Sequence, residues 1–184
     1  MKFIRQAIPE VVLIEPTIHG DDRGYFVETF RQDLFEDAVG HKVNFIQDNE
    51  SKSIKGVLRG LHYQLPPRAQ AKLVRVIDGS VLDVAVDIRK SSPTFGQHVT
   101  VELTSENKRQ LFVPRGFAHG FVVLSDSATF AYKVDNYYSP ECDRGIAFDD
   151  SYLGIDWRLP LDSLQLSDKD KVHPNLENAK DLLE

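Results

Sequence analysis

A cation and an imidazole interrupt an apolar stretch of the sequence. Arg59 and His62 lie within "VLRGLHYQLPP" (57–67), whose apolar positions are typical of a buried strand. Both side chains are costly to bury without polar partners. Imidazole has an unperturbed pKa of about 6.5 and can accept a proton near neutral pH, while a planar guanidinium matches phosphate oxygens. The stretch therefore predicts a polar pocket inside an apolar scaffold.

The spacing of these two residues poses a geometric difficulty. Positions 59 and 62 differ by an odd number, so a regular strand would point the two side chains to opposite faces. A glycine, Gly60, lies between them. We predict a β-bulge at Gly60 that lets both side chains point inward.

The elements that must position these residues are short strands. Apolar runs separated by turn signals recur at regular spacing, which is typical of a β-sandwich or small barrel. Residues 31–39 predict a short helix that ends at Gly40, and Asp78-Gly79 predicts a tight hairpin. In 80–88 one face is apolar and the other carries Asp83 and Asp87. The runs are 11–16, 25–30, 43–49, 56–64, 72–77, 80–88, 98–104, 110–114, 120–124 and 128–134.

Length and composition limit the class of protein. The 184 residues predict one domain, 1–184, and the net charge of -6 argues against nucleic-acid binding. The single cysteine, Cys142, allows no intrachain disulfide, and no apolar run is long enough for a signal peptide or membrane span. We therefore expect a cytoplasmic protein with no membrane partner. The polar segment from about Leu161 is predicted to be helical or loosely packed.

Two segments resemble the motifs of cupin barrels. Gly56 precedes His62 by six residues, and "PRGFAH" (114–119) contains a Pro-x-Gly-x-x-His pattern that ends at His119. Metal-binding cupins continue the first motif with a second histidine and a glutamate. Here Gln64 stands at the second histidine position, and no glutamate follows before residue 79. Because a divalent cation usually needs three or four protein ligands, we predict a cupin-like barrel with no metal site.

Seven segments, in order along the chain, match the motifs of one protein family. They are "PTIHGDDRGYFVETF", "QDNESKSIKGVLRGLHYQLPP", "QAKLVRVIDGSVLDVAVDIRKSSPTFG", "FVPRGFAHGFVVLSD", "YYSPECDRGIAFDD", "LGIDW" and "LSDKD". Nearly the whole chain, from about residue 1 to about residue 175, thus resembles the dTDP-4-dehydrorhamnose 3,5-epimerase family. This resemblance implies a mainly β, cupin-like jelly roll or β-barrel sandwich with a few short helices. It also implies a C-terminal segment that folds back over the barrel, a homodimer, a dTDP-4-keto-6-deoxy sugar substrate and no cofactor.

The implied reaction converts dTDP-4-dehydro-6-deoxy-D-glucose to dTDP-4-dehydro-L-rhamnose. Inversion at C3 and C5 needs a base on one face of the sugar, an acid on the other and a donor for the enolate oxygen. His62 suits the base, since its unperturbed pKa of about 6.5 leaves it largely neutral near neutral pH. The resemblance assigns Tyr132 as the acid and Asp170 as the residue that orients His62. It also places Lys72 near the keto oxygen of the sugar, where we predict that it stabilises the enolate. Asp83, on the carboxylate-bearing face of its strand, is the alternative orienting residue.

The resemblance also implies a set of substrate-binding residues. Arg23 and Glu28 are expected on an N-terminal strand that crosses to the partner subunit. Arginine suits the diphosphate because its fork matches phosphate oxygens. The full set is Arg23, Glu28, Gln47, Asp48, Asn49, Arg59, His119, Asp143 and Lys169.

Three alternative functions stay open at this point. A single-centre epimerase or a ketoisomerase acting on a related dTDP-4-keto sugar would keep the same fold. A metal-dependent cupin enzyme is disfavoured by Gln64. A non-catalytic sugar-binding cupin ranks last, because a binding protein does not need a base, an acid and a carbonyl-stabilising cation together.

Overall fold

The computed structural model describes residues 1–183, which form short antiparallel strands and few helical turns. The strands are β1 (Lys2–Arg5), β2 (Val12–Glu15), β3 (Ile18–Asp21), β4 (Gly24–Val27), β5 (Gln47–Ile54), β6 (Leu58–Gln64), β7 (Lys72–Asp78), β8 (Ser80–Asp87), β9 (His98–Thr104), β10 (Gln110–Val113), β11 (Phe117–Val123), β12 (Ser127–Val134) and β13 (Asp143–Gly145). The helix α1 spans Gln32–Val39, and 3-10 turns span Leu161–Ser163, Asp170–Val172 and Leu176–Asn178.

Two sheets face each other across an apolar core. One has the order β1-β2-β10-β7-β12-β5, the other β13-β6-β11-β8-β9, and β3 and β4 form a separate hairpin. Side chains of both sheets meet in one buried cluster. Within it Phe121 of β11 stacks on Phe130 of β12, with ring centroids 4.0 Å apart. The predicted mainly β, cupin-like sandwich is confirmed.

The hairpin predicted at Asp78-Gly79 is wrong. β7 pairs with β10 and β12, whereas β8 pairs with β11 and β9, so the turn carries the chain from one sheet to the other. Gly79 has φ +80°, and a Cβ there would lie 2.1 Å from the carbonyl oxygen of Ser127. Because β8 is covered on both faces, Asp83 and Asp87 are fully buried and do not form the outer face that alternation suggested.

The predicted helix is confirmed, whereas several strand boundaries differ from the prediction. Gly40 ends α1 with φ +81° and donates its N–H to the carbonyl of Glu36 at 2.9 Å, a left-handed cap that suits glycine. Phe35 is the buried residue of the helix. The strand expected over 43–49 begins only at Gln47, and the strand expected over 25–30 ends at Val27.

The C-terminal segment folds back over the outer face of the five-stranded sheet, as the resemblance implies. Trp157 and Leu176 pack into the apolar cluster on that face. Leu58 donates its backbone N–H to the carbonyl of Gln165 at 3.0 Å. The segment contains 3-10 turns and irregular backbone rather than a long helix. Over residues 1–183, no helix is long and apolar enough to cross a membrane.

Candidate active site

A cavity of about 480 Å³ opens between the two sheets and collects the polar residues that the sequence singled out. One wall comes from β6 and β11, and the facing wall comes from β7 and β12. The C-terminal segment contributes part of the rim. The predicted site residues that line the cavity are Arg59, His62, Lys72, His119, Tyr132, Lys169 and Asp170.

A β-bulge brings Arg59 and His62 to the same cavity, and this prediction is confirmed. Arg59 pairs with Phe121 and His62 pairs with His119. Between these two pairs, two residues of β6 lie opposite one residue of β11. Gly60 lies in the bulge with φ +135°, and a Cβ there would lie 2.5 Å from the Cα of Gly120. The close approach of the two backbones therefore requires glycine at position 60.

His62 is held by a carboxylate from the far end of the chain. Its Nε2 lies 2.5 Å from Oδ1 of Asp170. Asp170 is 4% exposed and donates its backbone N–H to the carbonyl of Ser167 at 3.0 Å. Burial lowers the pKa of His62, although Asp170 opposes this by favouring the imidazolium. Burial would raise the pKa of Asp170, but the His173 and His62 imidazoles hold it well below its usual range. His62 is therefore a neutral imidazole beside an ionised carboxylate.

Asp83, the alternative orienting residue, contacts a different histidine. Both of its carboxylate oxygens lie 3.0 Å from Nε2 of His119. Asp83 is fully buried in β8 and His119 is 6% exposed in the adjacent β11. The two histidines of the cupin-like motifs therefore each face an aspartate of their own, and Asp170 occupies the place beside His62.

The wall opposite His62 carries an amine and a phenol. Lys72 lies on β7 and Tyr132 on the adjacent β12. Burial lowers the pKa of Lys72 to about 8, against the opposing attraction of Asp83 and Asp143. Burial raises the pKa of Tyr132, so the phenol keeps its proton at neutral pH. An imidazole and a phenol thus come from opposite sheets and line one cavity.

Several of the predicted binding residues lie at the mouth of the cavity. Arg59 donates Nε–H to Oγ of Ser53 at 3.1 Å, which leaves its terminal nitrogens available. Lys169 forms an ion pair with Asp143 at the rim. The hydroxyl of Tyr138, which sequence reasoning did not single out, donates to Asp143 at 3.0 Å.

The Gln47-Asp48-Asn49 run lies beside a second cavity, of about 370 Å³, which shares Tyr132 with the first. Asp48 and Asn49 line this cavity, and Gln47 donates its side-chain amide to Asn49 at 2.7 Å. Asp48 pairs with Lys133 at 2.8 Å. Ala131 and Lys133, which line this cavity, alternate with Tyr132 along β12, so the second cavity lies on the other face of the six-stranded sheet.

Arg23 and Glu28 are not brought to this cavity within the chain. Arg23 lies at the tip of the β3–β4 hairpin, where its side chain is 89% exposed and pairs with Asp21 at 2.5 Å. Glu28 follows β4 and is exposed. Over the described residues 1–183, neither side chain is among the residues that line the two cavities.

Sequence reasoning missed His173. Its side chain is 10% exposed, and its Nε2 lies 3.5 Å from Oδ1 of Asp170. Its ring stands nearly perpendicular to that of His62, with centroids 5.6 Å apart. The available signal was its position three residues after Asp170, within one helical turn.

Comparisons with known proteins identify close relatives of the chain. A family model described as dTDP-4-dehydrorhamnose 3,5-epimerase matches residues 5–178. The dTDP-4-dehydrorhamnose 3,5-epimerase of Shigella flexneri is 60% identical over 170 residues, which cover 92% of this chain and 93% of the relative.

Two solved structures share the fold. The dTDP-6-deoxy-D-glucose-3,5-epimerase of Legionella pneumophila, in complex with dTDP-4-keto-L-rhamnose, is 51% identical with a TM-score of 0.93, covering 97% of this chain and 94% of that one. A 3'-monoepimerase from Streptomyces bikiniensis, in complex with dTDP-quinovose, is 37% identical with a TM-score of 0.87, covering 95% and 88%.

Proposed function

The chain belongs to the dTDP-4-dehydrorhamnose 3,5-epimerase family, and from this premise we propose how its cavity works. The substrate is dTDP-4-dehydro-6-deoxy-D-glucose, and the product, inverted at C3 and C5, is dTDP-4-dehydro-L-rhamnose. The observation that carries the proposal is the origin of His62 and Tyr132 on opposite sheets around one cavity. An inversion needs proton removal from one face and proton return to the other.

His62 removes the protons. The C4 ketone acidifies the hydrogens on C3 and C5, because the anion left behind is delocalised onto the ketone oxygen. A neutral imidazole accepts one of these protons on the face that it contacts, and the ionised Asp170 stabilises the imidazolium that forms. Tyr132 then donates its phenolic proton to the same carbon from the opposite face, which inverts the centre.

Lys72 stabilises the enolate. Its ammonium lies on the same wall as Tyr132 in a half-buried position, where a charge acts more strongly than in water. Loss of one such donor typically costs about 3 kcal/mol of transition-state stabilisation. Below its pKa of about 8 the side chain is a cation and suits this role.

The remaining cavity residues hold the nucleotide. Arg59 and His119 lie next to His62 and are proposed to contact the diphosphate and the sugar, since an arginine fork matches phosphate oxygens. Lys169, with its partner Asp143, lies at the rim. Asn49 of β5 pairs with Tyr132 of β12, and the amides and carboxylate of the run from Gln47 to Asn49 can read the donors and acceptors of thymine.

We further propose that the active form is a homodimer in which the β3–β4 hairpin reaches the partner's site. The hairpin is separate from both larger sheets. It exposes Tyr25 at 60% and Phe26 at 69%, and such an apolar pair is typical of a surface that another chain covers. In this arrangement Arg23 and Glu28, which lie away from their own chain's cavity, serve the partner's.

Solvent-isotope exchange tests the reaction. The protein is incubated with dTDP-4-dehydro-6-deoxy-D-glucose in heavy water, and the deuterium content at C3 and C5 is read by NMR and mass spectrometry. We expect deuterium at both carbons and a product with inverted configuration at both. Deuterium at C3 alone would instead assign the chain to the single-centre class that the Streptomyces bikiniensis structure represents, and no exchange would overturn the proposal.

Mixed dimers test the exchange of hairpins. Arg23→Ala and His62→Ala subunits carrying different tags are co-expressed, and the mixed dimer is purified through both tags. If Arg23 serves the partner's site, one site of the mixed dimer carries both defects and the other carries neither. We expect about half of the wild-type activity. A fully active monomer, or a mixed dimer as weak as its parents, would contradict the proposal.

A further inference from the structure

His173 stands beside the pair formed by His62 and Asp170 without an assigned role. One carboxylate oxygen, Oδ1 of Asp170, has two imidazole neighbours: Nε2 of His62 at 2.5 Å and Nε2 of His173 at 3.5 Å. The His173 side chain is nine-tenths buried. Its Nε2 is inaccessible to solvent and makes no hydrogen bond of ordinary length in the described part of the chain.

The His173 ring packs into a space that the fold leaves beside Gly145. Gly145 of β13 pairs directly with His62 of β6. A Cβ on Gly145 would lie 2.4 Å from Nε2 of His173, so the ring occupies the space that any other residue would fill. The chain just beyond the ring is held by a hydrogen bond of 2.8 Å from the N–H of Ala147 to the carbonyl of Pro174.

The position of Nε2 of His173 beside Asp170 favours the state in which this nitrogen carries a proton. A nitrogen lone pair aimed at a carboxylate is repelled, whereas an N–H aimed at it is attracted. A buried polar atom without any partner is unfavourable, and the nearest acceptor is Asp170. Hydrogen bonds of this kind are often long in a site without substrate and shorten during the reaction.

We propose that His173 carries a proton on Nε2 and donates it to Asp170, as a positioning residue that holds this carboxylate against His62 during proton transfer. This role rests on the proposed function of His62 as the base. It gives one carboxylate two donors from different elements, so that its orientation no longer depends on the hydrogen bond from His62 alone.

The second donor also sets how strongly Asp170 attracts the proton on His62. An N–H from His173 takes up part of the carboxylate's negative charge, which leaves less for the imidazolium. Removing that donor should therefore raise the pKa of His62. The charged and titratable groups that act on His62 from the neighbouring elements are Asp170, Lys169, Lys72 and His173, and His119 of β11 pairs with His62 across the sheet.

Two variants separate hydrogen bonding from packing. His173→Phe keeps a ring in the space beside Gly145 and removes the Nε2–H donor. His173→Gln instead places an amide N–H near the position of Nε2. We expect His173→Phe to lower kcat by about tenfold with KM unchanged, within the roughly 10²-fold loss that a small misplacement can cause. The acidic limb of its kcat/KM profile should move to higher pH. His173→Gln should restore both.

Two results would overturn the role. A His173→Phe variant with the wild-type rate and profile would show that the donor is irrelevant, and equal losses in both variants would show that only packing matters. Gly145→Ala, which displaces the ring while keeping both imidazoles, should reproduce the shift seen in His173→Phe.

A readout without substrate keeps this inference separate from the proposed function. In ¹⁵N-histidine-labelled protein, the signals of His173 are identified by their loss in His173→Phe, and the ¹⁵N shifts report which nitrogen carries the proton. We expect Nε2–H. A proton on Nδ1 alone would overturn the proposal, even if the protein epimerises its substrate. Conversely, if the wild-type protein exchanges no deuterium, the proposed function fails while the tautomer still decides whether His173 donates.

Discussion

Two histidine–aspartate pairs lie in one cavity, and different parts of the chain hold them. His119 and Asp83 come from adjacent strands of one sheet, and their side chains are 7% and 0% exposed. His62 also lies on a strand, but its partner Asp170 is 108 residues away in a C-terminal turn, and the His62 side chain is 30% exposed. The first pair is part of the core, whereas the second faces the space that a substrate would fill.

From this difference in exposure we infer that the pair of His119 and Asp83 supports the fold, whereas the pair of His62 and Asp170 can react. A histidine locked to a carboxylate inside a sheet cannot readily exchange its proton with a ligand, although it can present a fixed donor. A histidine at the cavity surface can exchange its proton, provided that a carboxylate stabilises the charge it acquires. The same two residue types therefore serve different purposes, and the predictions below test that distinction.

The largest effect is expected from replacing the reactive histidine. His62→Asn removes the proposed base and should lower kcat/KM by about 10²–10⁴-fold, while the midpoint of urea unfolding stays near that of the wild type. Steady-state kinetics and urea titration measure the two quantities. His119→Asn is the matched control, and it should lose more stability than His62→Asn. Near-normal turnover of His62→Asn would remove His62 from the mechanism.

The two aspartates should differ in stability. Asp83→Ala leaves His119 buried without a partner and should lower the free energy of unfolding by about 3 kcal/mol. Asp170→Ala should cost less, because His62 is partly exposed and water can replace the carboxylate. Chemical denaturation of both variants checks this. Equal losses would contradict the distinction between a core pair and a surface pair.

The bulge on β6 supports the reactive pair and should be sensitive to a single methyl group. Gly60→Ala combines a left-handed φ with a Cβ 2.5 Å from Gly120, and should cost at least about 1–3 kcal/mol and also impair turnover. Gly40→Ala is the control, since Gly40 has φ +81° but its Cβ would meet nothing within 4 Å. It should lose less stability and keep its kcat. Identical behaviour of the two variants would show that the bulge does not position the site.

The smallest effect is a shift in pH dependence. Burial lowers the pKa of His62 below the ordinary imidazole value of about 6.5, so the proposed base is neutral, and the acidic limb of kcat/KM should fall below pH 6.5. Lys72 loses its positive charge above its pKa of about 8, which should produce an alkaline limb near pH 8. Lys72→Arg should move the alkaline limb to higher pH and leave the acidic limb in place. An alkaline limb that does not move would argue against Lys72 as the enolate donor.

The sequence predicted most strands because alternation and turn residues are local signals. It predicted the bulge because the odd spacing of Arg59 and His62 around Gly60 has few geometric solutions. The hairpin predicted at Asp78-Gly79 was wrong, because an Asp-Gly pair marks a tight turn whether the next strand stays in the same sheet or enters the other one. The carbonyl of Ser127, which crowds Gly79, comes from a strand that local patterns cannot place.

By itself, then, the amino-acid sequence determined the strand-rich scaffold, the glycine positions and the family resemblance, because these depend on short-range periodicity and on motifs in order. Only the tertiary structure decided which aspartate contacts which histidine, that β7 and β8 belong to different sheets, and that His173 lies beside Asp170. Those outcomes depend on contacts between segments that are distant in the sequence. The contacts of Asp170 with His62 and His173 form only when the C-terminal segment has packed against the five-stranded sheet.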